Sequence, residues 1–271
     1  MEFKYFSRNG QVLPITEAAV PLSNIEYSYG FGVYESIRFA NGRIYFLDDH
    51  IERLLESARI IDLPHTFTPD AIKMFVRELM DKNEPEACNI KILLIGAPRA
   101  EDAILNILCL NPHFPDKKLY RDGVSCITYQ YERPFPHAKT LNMLQSYIAY
   151  RKASESDAYD ALLVDKNGCI TEGTRTNFFC TKGKTLISPP EDKILLGVTR
   201  KYVLEVAAKS GFALEFANIK PIDMSHYDGA FLTSTSSKIL PIKSIDGKSL
   251  NPQPPALNEL TVAFDSFLST T

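Results

Sequence analysis

The chain has 271 residues, 45% of them hydrophobic and 23% charged, with a net charge of -3. That length suits one large or two ordinary domains, and the composition is that of a soluble globular protein. The near-balanced charge gives no electrostatic reason to expect nucleic acid or a membrane as partner. Five widely spaced cysteines, mostly inside apolar runs, suit buried thiols in a reducing compartment and not a disulfide scaffold or a metal site. The first residues, MEFKYFSRNG, lack the apolar stretch of a signal peptide, so a cytoplasmic location is expected.

In chain order, residues 3–6 and 11–13 flank Asn9-Gly10, a hairpin signal, and residues 34–39 and 43–46 repeat it around Asn41-Gly42. Asp48 or Asp49 is placed to cap a helix with Ile51, Leu54, Leu55, Ala58 and Ile61 on one face. Thr68-Pro69-Asp70 opens a second helix. Residues 90–95 and 104–110 read as strands, and the proline-bearing stretch 111–120 as a connection between domains 1–115 and 116–271. The second half begins with a strand at 124–130 and a helix at 141–156. A hairpin follows across Asn167-Gly168 (161–164 with 169–171), then strands at 177–180 and 185–187. A helix at 199–210 is stopped by Gly211; strands at 231–233 and 239–245 and a helix at 255–268 close the chain. The fold class expected is mixed α/β.

Lys139, in H-A-K-T-L-N-M-L, stands before the predicted helix at 141–156. A lysine becomes a nucleophile only where burial or a neighbouring cation favours the free amine; in isolation it is one solvated lysine among many. Glu172 follows the predicted strand 169–171 in T-E-G-T-R-T-N-F-F, as a loop carboxylate or as the partner of a buried cation. Leu196-Gly197-Val198-Thr199-Arg200 leads into a helix whose first amides suit an anion. Arg53 lies on the first helix, and Thr233-Ser234-Thr235 ends a strand.

Together these motifs resemble the class IV aminotransferases, the fold-type IV enzymes dependent on pyridoxal 5'-phosphate. K-T-L-N, E-G-T-R-T-N-F-F, L-L-G-V-T, H-I-E-R-L and G-F-G-V-Y-E-S-I-R stand in the order of that family, from about residue 30 to 245. The resemblance implies a small N-terminal α/β domain and a larger C-terminal mixed, cofactor-binding domain, with the cofactor between them. It implies a homodimer whose active site lies near the subunit interface. It assigns Lys139 the Schiff base, Glu172 the pyridine nitrogen, and Arg53, Val198, Thr199, Ser234 and Thr235 the phosphate.

The reaction is less sharply marked. Branched-chain enzymes of the family place a tyrosine where this chain has Met143 and an arginine where it has Lys91. D-amino-acid enzymes place an arginine where Ile95 stands. Lys91 with Arg99 loosely resembles the cation pair of 4-amino-4-deoxychorismate lyase, whose substrate carries two carboxylates. The expectation is therefore that lyase, releasing pyruvate and p-aminobenzoate, a folate precursor. The alternative is an aminotransferase acting on branched-chain or D-amino acids with 2-oxoglutarate. Lys91, Arg99 and Tyr29 are the candidate contacts to a small amine substrate, with Tyr27 a further aromatic near it.

Overall fold

The computed structural model describes residues 3–112 and 114–270. Its contacts divide the chain into two compact units, Met1–His113 with His137–Met143, and Phe114–Pro136 with Leu144–Thr271. Met1, Glu2, His113 and Thr271 lie outside the described residues, and His113 belongs to the stretch read as the connection.

The first unit contains β1 (Tyr5–Arg8), β2 (Gln11–Pro14), α1 (Ile25–Ser28), β3 (Gly32–Ala40), β4 (Arg43–Ile44), α2 (Leu47–Ile60), α3 (Pro69–Asn83), β5 (Ala87–Ile95) and β6 (Ile104–Leu110). The strands form one sheet in the order β2-β1-β6-β5-β3-β4, antiparallel in every pairing. Asn9 and Asn41 adopt left-handed φ beside Gly10 and Gly42, so both hairpins close as read from the sequence. Thr68 caps α3 by accepting from the Ala71 amide, with Pro69 at its first turn. Neither Asp48 nor Asp49 caps α2. Phe46 takes that place in a left-handed conformation, which also ends β4 at Ile44, and the two aspartates fall in the first helical turn, where their charge suits the helix dipole. α2 packs on β3, and α3 on β1, enclosing Val33, Ile37, Ile51, Leu54, Ile72, Leu79, Ile90 and Ile92.

The stretch 137–143 belongs to this unit and not to the C-terminal one in which the sequence boundary at 115/116 places it. Its backbone pairs with β3. Val33 bridges Thr140 antiparallel, the Tyr34 amide donates to the Lys139 carbonyl at 2.9 Å, and the Leu141 amide donates to the Gly32 carbonyl at 2.8 Å. A Cβ on Gly32 would lie 2.8 Å from the Leu94 carbonyl oxygen, so only glycine lets the segment and β5 approach together. Lys139 thus sits in an extended, bridged segment and not at the start of a helix.

The second unit contains α4 (Lys117–Asp122), β7 (Val124–Gln130), α5 (Leu144–Glu155), β8 (Asp160–Val164), β9 (Ile170–Gly173), β10 (Asn177–Lys182), β11 (Thr185–Ser188), α6 (Val198–Lys209), β12 (Ala213–Phe216), β13 (Gly229–Ser234), β14 (Lys238–Ile245), β15 (Lys248–Ser249) and α7 (Pro255–Thr270). Part of the stretch read as connection is α4, capped by the Asp116 carboxylate on the Lys118 amide. The sheet runs β12-β11-β10-β13-β14-β7-β8-β9, and β9 returns to β10 through Glu172 opposite Asn177, closing six of these strands into a ring. Glu172 therefore lies inside a strand, not after one. Among the described residues no helix is long and apolar enough to cross a membrane, and the five cysteines are free and buried.

Phe179 and Phe231 stack across β10 and β13 at 5.0 Å between ring centroids, both fully buried. Phe231→Ala should leave a cavity there and lower the unfolding free energy by about 3–5 kcal/mol, read from urea denaturation.

Candidate active site

In the first unit three elements meet around one strand. Tyr34 of β3 is buried, and the ammonium of Lys139 lies 4.5 Å from its ring centroid. The ammonium of Lys91, on the neighbouring β5, lies 3.7 Å from the same centroid. Both distances fall within cation–π range. The Tyr34 hydroxyl donates to Met143 Sδ at 3.5 Å, so Met143 acts here as a soft acceptor.

Glu35, the next residue of β3, is fully buried and joined to α2. Its Oε1 accepts from Arg53 Nε at 2.6 Å, and its Oε2 accepts from Arg53 Nη2 and His50 Nδ1, both at 2.8 Å. Burial alone would raise the Glu35 carboxyl. The Arg53 guanidinium and the His50 ring overcome that and hold it well below the usual carboxylate range. Burial lowers His50, opposed by the Glu35 carboxylate and aided by the nearby Arg53 and Lys139 cations. His50 is therefore neutral at pH 7, and because an ionised Glu35 can only accept, its proton is on Nδ1. One turn further along α2, Ser57 Oγ donates to the Arg53 carbonyl at 2.7 Å and accepts the Lys139 amide at 3.0 Å.

In the second unit the Glu172 carboxylate is buried with both oxygens engaged. Arg133 Nη1 donates to Oε1 at 2.9 Å, and the Leu195 amide donates to Oε2 at 3.2 Å. The carbonyl of the same Leu195 accepts from Asn177 Nδ2 at 2.7 Å. A Cβ on Gly197 would lie 2.0 Å from Asn177 Oδ1, so the loop fits only with glycine at that place. Gly197 begins α6 with no side-chain cap, leaving the first-turn amides of Val198 and Thr199 without one. Opposite Asn177 in register, Thr233 Oγ1 is buried with no hydrogen-bond partner among the described residues. Ser234 Oγ shares a hydrogen bond with Ser237 Oγ at 2.7 Å and accepts the Ser237 amide, shaping the turn in which Thr235 lies. Asp160 holds the motif turn from below, accepting from Thr174 Oγ1 at 2.5 Å and Thr176 Oγ1 at 2.9 Å.

Of the sequence candidates, Lys139, Lys91 and Arg53 are gathered in the first unit, and Glu172, Val198 and Thr199 are tied through Leu195 and Gly197 in the second. Arg99 stands apart from its expected partner Lys91. It is exposed beyond the end of β5, and its guanidinium is engaged by Asp102 at 2.7 Å and Glu101 at 3.7 Å. Tyr29 is 80% exposed and Tyr27 47%. The sequence reading missed Tyr34, Glu35, His50, Ser57, Arg133 and Asn177. Each acquires its role only through pairings between distant segments.

The profile of the Amino-transferase class IV family matches residues 32–245. A D-alanine aminotransferase of Bacillus licheniformis is 32% identical over 97% of this chain and 97% of its own. A putative branched-chain-amino-acid aminotransferase of Methanocaldococcus jannaschii is 29% identical over 90% of this chain and 88% of its own. Among solved structures, the branched-chain aminotransferase of Thermoproteus uzoniensis with norvaline superposes with a TM-score of 0.89 at 28% identity, covering 99% of this chain and 96% of that one. The branched-chain amino acid aminotransferase of Thermobaculum terrenum in its pyridoxal-phosphate form gives 0.87 at 25% identity, covering 99% and 94%.

Because His50 and Glu35 are both held below their ordinary values of 6.5 and 4.5, each contributes stability above that value and loses it as pH falls. Thermal melts from pH 8 to 4 should show wild type losing stability first below about pH 6.5, as His50 must take a proton. His50→Gln should shrink that first step, leaving the part due to His65, which burial also lowers, and keep the later one from Glu35.

Proposed function

The chain belongs to the class IV aminotransferase family, and from that premise we propose that it transfers the amino group of an α-amino acid, of the D-alanine or branched-chain kind its relatives are named for, to 2-oxoglutarate. It is an enzyme whose cofactor is pyridoxal 5'-phosphate. The donor set of each unit fits that cofactor. The uncapped start of α6 and the orphaned Thr233 hydroxyl of the same unit both lack an acceptor, which a phosphate supplies. Bound pyridoxal phosphate supplies an aldehyde that condenses with amines and a ring that takes up the electron pair left on a substrate Cα.

The residues of this chain divide the remaining work. Nζ of Lys139 would hold the cofactor aldehyde and, as general base, would take the proton from the substrate Cα. Glu172, held by Arg133, would accept the pyridine nitrogen's proton in a charge-assisted bond. The groups that would bind the phosphate are, in the second unit, the Val198 and Thr199 amides with Ser234 and Thr235, and, in the first, Arg53.

The observation that carries the transaminase reading over the lyase is the match to aminotransferase relatives over nearly the whole chain. Lys91, beside the Tyr34 ring shared with Lys139, is the cation placed for a substrate carboxylate, and Arg99, the second cation of the lyase reading, lies exposed beside Asp102. We also place the enzyme in the cytoplasm, a location that its five free thiols suit. The exposed Leu22, Ile25, Tyr27 and Tyr29 support a homodimer in which this apolar stretch is covered; light scattering at working concentration should give twice the chain mass, and a monomer there removes the idea.

With D-alanine or leucine and 2-oxoglutarate the enzyme should form the 2-oxo acid, and Lys139→Ala should lose roughly 10²–10⁴-fold in rate while its thermal melt is kept. Formation of p-aminobenzoate from aminodeoxychorismate, with no amino transfer from either amino acid, would reverse the choice in favour of the lyase.

A further inference from the structure

Arg53 does not enter its site as a loose surface arginine. Its guanidinium is gripped along one edge, with Nε on Glu35 Oε1 and Nη2 on Glu35 Oε2, and the two are joined in the fork-to-fork geometry that fixes the plane of the group. Glu35 is 0% exposed, His50 1% and Arg53 13%, so the pair lies under the surface with the arginine as its outer member. His50, three residues before Arg53 on α2, donates from Nδ1 to Glu35 Oε2, and the Ser36 amide donates to the same oxygen at 3.2 Å. The carboxylate is thus held by strand and helix at once, and it has little freedom to follow the arginine elsewhere.

Burying a carboxylate in this way is costly, and a strand that needed only to receive α2 would carry an apolar residue there. A buried carboxylate holding a partly exposed guanidinium has a purpose when the guanidinium must point in a set direction. We propose that Glu35, braced by His50, is a positioning residue for Arg53: it fixes the guanidinium plane so that the group meets the cofactor phosphate without first being ordered. This rests on the assignment of Arg53 to the phosphate made above. Ser57 extends the same device, since its hydroxyl joins the backbone of Arg53 to the backbone of Lys139. One helix face therefore sets the direction of the phosphate cation and the seat of the reactive lysine.

The test separates Glu35 acting through Arg53 from Glu35 as a structural carboxylate. The dissociation constants of pyridoxal 5'-phosphate and of pyridoxal, which lacks the phosphate, are measured on full-length apoenzyme for wild type, Glu35→Gln, Arg53→Met and the double variant, each checked by thermal melt. Glu35→Gln should weaken pyridoxal phosphate by on the order of 10-fold, as loss of an outer partner does at other ligand sites, and change pyridoxal by less than about 2-fold. In the Arg53→Met background the same change should have no further effect on either ligand. Equal weakening of both ligands by Glu35→Gln, or an undiminished effect in the Arg53→Met background, overturns the inference while leaving Arg53 on the phosphate. An Arg53→Met enzyme that keeps the wild-type preference for the phosphorylated ligand overturns it by removing the assignment of Arg53 itself. If Glu35→Gln does not fold, the ratio is read on Glu35→Asp, where a carboxylate withdrawn by one methylene should lower the preference and an unchanged ratio overturns the inference.

Discussion

The short backbone pairing between β3 and the stretch that carries Lys139 is the constraint on which the first unit's chemistry depends. β4 pairs with β3 only at Phe39 and Ala40, so the half of β3 from Gly32 to Ile37 would otherwise present an open edge on that side. Such an edge needs a partner, and the chain provides one about a hundred residues later, at Thr140. Two amides and two carbonyls are satisfied by the return, and the carbonyl of Lys139 is one of them. Lys139 is held through its own backbone, which leaves its side chain to the chemistry proposed for it without also having to anchor the segment.

Strand geometry then distributes the work of β3. Successive side chains leave a strand on opposite faces. Tyr34 and Glu35 therefore serve two different groups: the ring takes the ammonium groups of Lys139 and Lys91, and the carboxylate takes Arg53 and His50 from α2. The second unit uses the same economy at Leu195. Its amide is held by Glu172 and its carbonyl by Asn177, the two residues that face each other where β9 closes on β10. A shift of that seam by one residue would turn Glu172 to the other face and free the loop that begins α6.

What the sequence made legible follows from how local each signal is. Asn-Gly turns, the Thr68-Pro69 cap and the stop at Gly211 are decided within a few residues, and the structure contains all of them. The family motifs were equally plain because each lies in one continuous stretch. The features that the sequence left unread share the opposite cause. Lys139 was set at the entry to a helix because the bridge of its neighbour Thr140 to Val33 spans more than a hundred residues, and periodicity cannot register such a pairing. α4 was read as linker because its six residues are too short to show a period, although Asp116 is a good cap. Arg99 was paired with Lys91 by position alone, without sight of Asp102, which holds it on the surface. Glu35 and His50 escaped notice because neither means anything until β3 and α2 are packed together.

A lysine rather than an arginine at position 91 has a physical consequence for specificity. An arginine fork binds a carboxylate in one plane, whereas an ammonium is a point charge that attracts it from any direction. Here the ammonium rests over the Tyr34 ring, and the Tyr34 hydroxyl is itself turned to Met143 and so is a weaker donor toward substrate. In its proposed role Lys91 would supply attraction with little orientation. Discrimination between hands of substrate, and between short and branched side chains, then falls to the walls around the reactive lysine, because a centre of charge without a fork does not distinguish mirror images. That division makes the cation a determinant of affinity and the apolar surface a determinant of which amino acid is turned over.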